Sequence, residues 1–199
     1  MNYNKHPWNL GRAVGQKKAF TLDEARRLKV LLNLSGDVRD LILASLAFDS
    51  ALRSCDLLAL RWTDLMNEAG EFRRRVTIRQ RKTRSNVTFE ASGTTIEALK
   101  RYRQIAKAGF VFPGAQPESP LSTRQYRRLV KKWAELIGLD PERYGTHSLR
   151  RTKPAEVYRR TRDPEIARIL LGQQSLMATH RYLGIGEEEA LERAREIEI

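Results

Sequence analysis

The 199-residue sequence is poor in cysteine, histidine and acid: one Cys, three His, and 24 Asp plus Glu. A single cysteine, Cys55, cannot close an internal disulfide or supply a thiolate cage, which points to a reducing compartment and excludes a Cys-based metal site. The histidines are His6, His147 and His180. Nothing around His6 or His180 has the spacing of metal ligands, so both read as surface residues and no metal is expected. Cys55 reads as packed. No apolar run approaches the roughly 20 residues of a membrane span. The opening MNYNKHPWNL also has no signal-peptide core. A soluble, cytoplasmic protein without membrane contact is expected. The shortage of acid leaves 37 Lys plus Arg in excess, a net charge of +13 and an isoelectric point near 10.3. A field of that sign attracts a polyanion. Aromatic residues do not cluster on a strand, which ranks an RNA-stacking platform low.

What is present fits one core. The 41% hydrophobic share gives no sign of disorder, and the length suits a single domain. Residues 1 to 20 are polar, basic and dotted with glycine, and read as an N-terminal arm. Thr21 with Glu24 predicts a capping box opening a helix to about Leu34, with Leu28, Leu31 and Leu32 on one face. Ser35 and Gly36 end it. From Asp37 the run VRDLILASLAFDSAL is apolar on several faces, as a central buried helix requires, and Arg53 follows at its end. CDLLALRWTDL predicts one further short helix, with Leu57, Leu58, Leu60 and Trp62 as core.

The period then changes to two. Val76 and Ile78 alternate with Arg75, Thr77 and Arg79, and Val87 and Phe89 alternate with Thr88 and Glu90. This predicts a β-hairpin whose connection carries Lys82 and Arg84. Ile96, Leu99, Tyr102 and Ile105 mark another helix, and Gly109 to Pro120 reads as a Pro/Gly-rich loop. Ser122 to Ile137 is strongly amphipathic. Tyr126, Leu129, Val130, Trp133 and Ile137 form its apolar stripe, and Arg124, Arg127, Arg128, Lys131 and Lys132 cover the remainder. Such charges can be an ordinary solvated face, but in a chain this basic they read as phosphate contacts.

Towards the C-terminus, Ser148 is the expected N-cap of a helix holding Arg150 and Arg151. Asp163 and Pro164 start the next helix, Gly172 stops it, and Ser175 caps the one carrying Tyr182. Glu187 to Ile199 reads as an amphipathic tail helix. The Gly184 to Gly186 GIG lacks the strand-to-helix setting of a nucleotide loop. His147 and Arg150, one helical turn apart and followed by Tyr182 in a basic setting, suit phosphoryl transfer through tyrosine. That reaction needs cations for the charge on the non-bridging oxygens and proton carriers near the attacking and leaving oxygens.

From about Thr21 onwards the chain resembles the catalytic domain of the tyrosine recombinase (phage integrase) family. The matching pieces are ALRSCDLLALRWTDL, RQRKTRSNVTFEA, HSLRRT, LLGQQS and RYLGI, together with the STRQYRRLVKKW helix and the YGTHSLRRTK turn of short bacterial integrase-like members. Their order and spacing carry the likeness more than any one piece. The resemblance implies an α+β, mainly α fold with a small antiparallel sheet, with residues 21–199 as catalytic domain. It implies a site-specific recombinase that makes a 3′-phosphotyrosyl link at Tyr182 without metal, ATP or other cofactor. In that reading Arg53 and Arg150 clamp the phosphate through planar forks. Lys82 protonates the departing 5′-oxygen, His147 serves the tyrosine proton or the phosphate, and Asp56 holds Arg53 or its neighbourhood. Arg151 joins Arg84 and the helix 122–137 cations in DNA contact. The implied partners are double-stranded DNA and further copies of the chain, a tetramer on DNA joined through the tail.

Two residues depart from the family pattern. Gln173 stands where His, sometimes Trp, is usual; its amide can donate a hydrogen bond but cannot carry a proton. Pro154 falls inside a helix, where it removes a hydrogen bond and costs about 3 kcal/mol unless the helix kinks. No separate N-terminal core-binding domain of the kind many family members carry is expected, residues 1 to 20 being too short to replace one. These departures define the second expectation, a catalytically degenerate relative acting as a DNA-binding regulator. For single residues the plainer alternatives are an ion pair of Arg53 with Asp49 or Asp56, a helix-start hydrogen bond for His147, exposed turn charges for Lys82 and Arg84, and an anchoring aromatic for Tyr182.

Overall fold

A computed structural model describes residues 17–106, 109–116 and 118–185, with Leu191, Ala194 and Arg195. The arm before residue 17, His6 and most of the expected tail helix lie outside the described residues.

The molecule is built around one buried helix. α1 (Leu22–Leu34) opens on the expected capping box, with Thr21 Oγ1 accepting from the Glu24 amide and Glu24 accepting from the Thr21 amide. It buries Ala25, Leu28 and Leu32 and ends at Ser35, before Gly36 in the left-handed region. α2 (Val38–Ser50) is buried without a break from Asp40 to Phe48. Such burial follows from a run with no polar face, and α1, α5 (Gly93–Ile105), α7 (Thr146–Thr161) and the hairpin all pack against α2. The chain leaves it through Ala51 at φ 49°.

The single helix expected for residues 55 to 65 is instead two, α3 (Ser54–Leu58) and α4 (Trp62–Leu65). Between them Arg61 is extended and bridges to Phe110. The Trp62 amide donates to Gly109, and the Val111 amide to Leu60. Long-range pairing with a loop therefore wins over local helix propensity. That loop is buried at Val111 and Phe112 and exposed further on at Ala115, Gln116 and Glu118.

β1 (Arg75–Arg79) and β2 (Asn86–Glu90) form the predicted antiparallel hairpin, in register from Arg75 opposite Glu90 to Arg79 opposite Asn86. Val76, Val87 and Phe89 face the core. In α5 the expected apolar stripe stops at Tyr102, and Ile105, the last helical residue, is exposed. α6 (Thr123–Leu136) starts on a Ser122–Gln125 capping box and buries Tyr126, Val130 and Trp133. The Trp133 indole donates to Asp40 of α2 at 2.9 Å.

α7 begins earlier than expected. Its N-cap is Gly145, and Ser148, at the third helical position, accepts from the Gly145 amide. The helix runs on through buried Pro154 to Thr161, so the missing N–H releases the Arg150 carbonyl from the ladder without ending the helix. α8 (Pro164–Leu171) starts on Asp163, and α9 (Leu176–Leu183), which carries Tyr182, starts on Ser175. Between them Gly172 sits at φ +57°, where an added Cβ would lie 2.1 Å from Val87 Cγ2. Only glycine allows that close approach to the hairpin.

Candidate active site and nucleic-acid interface

The N-terminal turn of α7, the α2–α3 junction, α9 and α6 meet around an open cavity of about 650 Å³. Arg53, His147, Arg150, Gln173 and Tyr182 all line it, so five of the six residues expected to carry chemistry converge although they span most of the chain. Lys82 is exposed on the hairpin turn and does not line the cavity. Among the described residues the lining holds six cations, Lys17, Arg53, Arg127, Lys131, Arg150 and Arg151, against one carboxylate, Glu142. This balance makes the field in the cavity positive, which favours an anion.

Arg150 is 4% exposed. Its Nη2 donates to the Leu171 carbonyl at 2.8 Å, tying the guanidinium to the last turn of α8. Burial lowers its pKa, the Tyr182 side chain offsetting part of this, but an arginine stays charged. The Tyr182 hydroxyl is buried. That burial pushes the phenol up to about 12, against the pull of Arg150, Arg151 and Arg53. Arg151 lies 5.2 Å from the Tyr182 ring centroid and donates to the Lys17 carbonyl at 2.8 Å. Arg151, expected as a DNA contact, thus also holds the tyrosine ring from one face.

His147 occupies the second position of α7, at the cavity mouth. Its pKa is lowered, first by desolvation and then by the charges of Arg150, Arg53 and Arg151. At neutral pH it is an uncharged imidazole able to accept a proton. Gln173 Oε1 accepts from the buried Thr179 hydroxyl at 2.7 Å, which directs its amide nitrogen, a pure donor, away from that bond.

Arg53 pairs with neither acid considered for it. Asp49 accepts from the Ser92 amide and the Thr95 hydroxyl. Asp56 is buried and accepts from the Arg81 amide at 2.9 Å, so it holds the hairpin turn and not the arginine. The partner of Arg53 is Gln80, whose Oε1 lies 2.6 Å from Arg53 Nη1. Sequence reasoning missed Gln80, although a signal was there. The inward sequence Val76, Ile78 continues to position 80, where a polar residue replaces the apolar one the period demands.

The α6 cations divide between two settings. Arg127 and Lys131, one turn apart, line the cavity, and Lys131 pairs with Glu142, whose pKa that contact lowers. Arg124, Arg128 and Lys132 are exposed on the same helix outside the cavity lining. Arg84 is exposed on the hairpin at φ 57°. Cys55 is half-buried, and His180 is also half-buried, on α9.

The chain is similar to several known proteins. The probable integrase/recombinase YoeC of Bacillus subtilis is 28% identical over 173 residues, spanning 84% of this chain and 89% of that protein. Tyrosine recombinase XerC of Neisseria gonorrhoeae is 31% identical over 149 residues, 73% of this chain but 47% of XerC. Among solved structures, the post-cleavage complex of the XerH site-specific recombinase on palindromic difH substrate superimposes with a TM-score of 0.72 at 21% identity, covering 90% of this chain and 53% of that one. The XerA recombinase gives 0.71 at 19% identity, covering 92% and 65%. These structural likenesses establish the fold. A profile of the phage integrase family matches residues 18–189, and with it the chain belongs to the phage integrase family, the tyrosine recombinases.

Proposed function

We propose that the chain is a site-specific DNA recombinase in which Tyr182 is the nucleophile. The observation that carries this reading is the Tyr182 hydroxyl set beside buried Arg150 in a cavity lined by six cations and one acid. Tyr182 Oη forms a bond to the scissile phosphorus, and the bond from phosphorus to the 5′-oxygen breaks. The product is a 3′-phosphotyrosyl link and a free 5′-hydroxyl. Neutral His147 accepts the phenol proton. Arg53 and Arg150 neutralise the non-bridging oxygens as charge builds there, and the Gln173 amide adds a donor. Lys82 delivers a proton to the leaving oxygen, which requires the exposed hairpin turn to close over bound DNA. Attack by a 5′-hydroxyl from a second duplex reverses the steps. The phosphotyrosyl link conserves the bond, so the reaction needs neither ATP nor a metal ion. In this reading the α6 cations and Arg84 track flanking phosphates, residues 21–199 are the catalytic domain, and the protein assembles as a tetramer on DNA through its C-terminal tail.

The test is covalent trapping. Nicked suicide duplexes from the chain's native DNA neighbourhood are incubated with the protein in chelator and resolved on a denaturing gel. The expected result is an adduct that Tyr182→Phe abolishes while DNA affinity is kept, with Arg150→Ala weakening both. An adduct that survives Tyr182→Phe rejects the nucleophile. Tight, salt-sensitive binding without adduct, under conditions where a related active recombinase reacts on its own site, makes the chain a DNA-binding regulator.

A further inference from the structure

We infer that Gln80 is a positioning residue, an uncharged clamp that fixes the Arg53 guanidinium and couples it to the hairpin turn carrying Lys82. The inference rests on the recombinase reading for its catalytic consequence, but its geometry stands apart from it. The Gln80 side chain is fully buried. Its Oε1 accepts from Arg53 Nη1 at 2.6 Å and from Thr83 Oγ1 at 2.7 Å, so both carbonyl lone pairs are committed. Its backbone closes the same turn, donating to Ser85 and accepting from Arg84. The other end of the amide faces the α8–α9 turn. A Cβ built on Gly172 would lie 3.2 Å from Gln80 Nε2. One amide therefore touches the segment bearing Arg53, the turn bearing Lys82, and the turn leading into Gln173.

Stability does not explain the whole of this amide. Nε2 is buried and has no hydrogen-bond partner among the described residues, which weakens a fold. The choice of an amide over a carboxylate has a chemical reason. A carboxylate would hold Arg53 equally well but would cancel its charge and compete with the DNA phosphate for it. A neutral acceptor orients the guanidinium and leaves the full charge for the phosphate.

The test pairs a signal that needs no DNA with one that does. Guanidinium resonances of the full chain are recorded by NMR, with Arg53 assigned through Arg53→Lys, and adduct formation is timed at saturating nicked duplex. Wild type should show distinct, slowly exchanging Arg53 Nη signals. Gln80→Met, similar in volume and lacking the acceptor, should average them and slow cleavage about 10- to 100-fold, with DNA affinity within threefold. Gln80→Glu should retain the distinct signals yet weaken DNA binding about tenfold by pairing with the charge. Should Gln80→Met fail to fold, Thr83→Val, on the half-buried turn, should broaden the Arg53 signals and slow cleavage severalfold. Arg53 signals unaltered in Gln80→Met or in Thr83→Val overturn the inference, as does Gln80→Met cleaving within twofold of wild type. If wild type forms no adduct, the recombinase reading fails, and the Arg53 signals still decide whether Gln80 holds the guanidinium.

Discussion

The pH dependence of strand cleavage separates two routes to the nucleophile. With the Tyr182 phenol at about 12, the tyrosinate fraction at pH 7 is about 10⁻⁵, and ionising it in advance costs about 7 kcal/mol. A chain relying on free tyrosinate would speed up about tenfold per pH unit through the neutral and alkaline range. Transfer of the proton to His147 during attack removes that dependence. Because the His147 pKa is lowered from 6.5, its proton-accepting form predominates at pH 7 and is lost as pH falls through the lowered value. Single-turnover adduct formation at saturating duplex should therefore rise with pH only in the acid range and be flat from pH 7 to 9. His147→Asn should lose about 10²- to 10³-fold at pH 7 and recover with a slope near one log unit per pH unit as tyrosinate forms. A wild-type rate that climbs tenfold per unit between pH 7 and 9, or a His147→Asn profile as flat as wild type, refutes His147 as the proton acceptor.

Three further outcomes follow from the packing and the charge. Gly172→Ala places a methyl 2.1 Å from Val87 Cγ2 at φ +57° and should lower unfolding free energy by about 2–4 kcal/mol in urea titration. An unchanged denaturation midpoint would mean that the hairpin yields freely. Trp133→Phe removes the indole bond to Asp40, which is 1% exposed, and should cost about 1–3 kcal/mol in the same assay. Arg128→Ala, on the exposed face of α6, should weaken DNA binding evenly across sequences and reduce the slope of log affinity against log salt by about 1. A slope equal to wild type would remove Arg128 from the DNA face.

The sequence by itself determined the parts whose cause is local. Thr21 with Glu24, Ser122 with Gln125, Asp163 with Pro164 and Ser175 announce helix starts because each closes hydrogen bonds within one turn. The hairpin is legible because side chains alternate with period two, and α2 because it has no polar face. His147, Arg150 and Tyr182 stand out by their spacing in a basic setting, Arg53 and Gln173 only through the family resemblance, and the excess of base pointed to a polyanion.

Only the tertiary structure decided what depends on groups distant in sequence. The break between α3 and α4 is set by pairing of residues 60 to 62 with 109 to 111, and a local window sees only the helical preference that loses. Gly145 takes the N-cap of α7 from Ser148, because the hydroxyl turns back to the Gly145 amide. The Arg53 partner could not be chosen from sequence. Two nearby carboxylates offered themselves, but Asp49 is committed to Ser92 and Thr95, and Asp56 to Arg81. The guanidinium falls to an amide 27 residues away. Burial likewise raises Tyr182 and lowers His147, because desolvation depends on what surrounds a group in space and not on its neighbours along the chain.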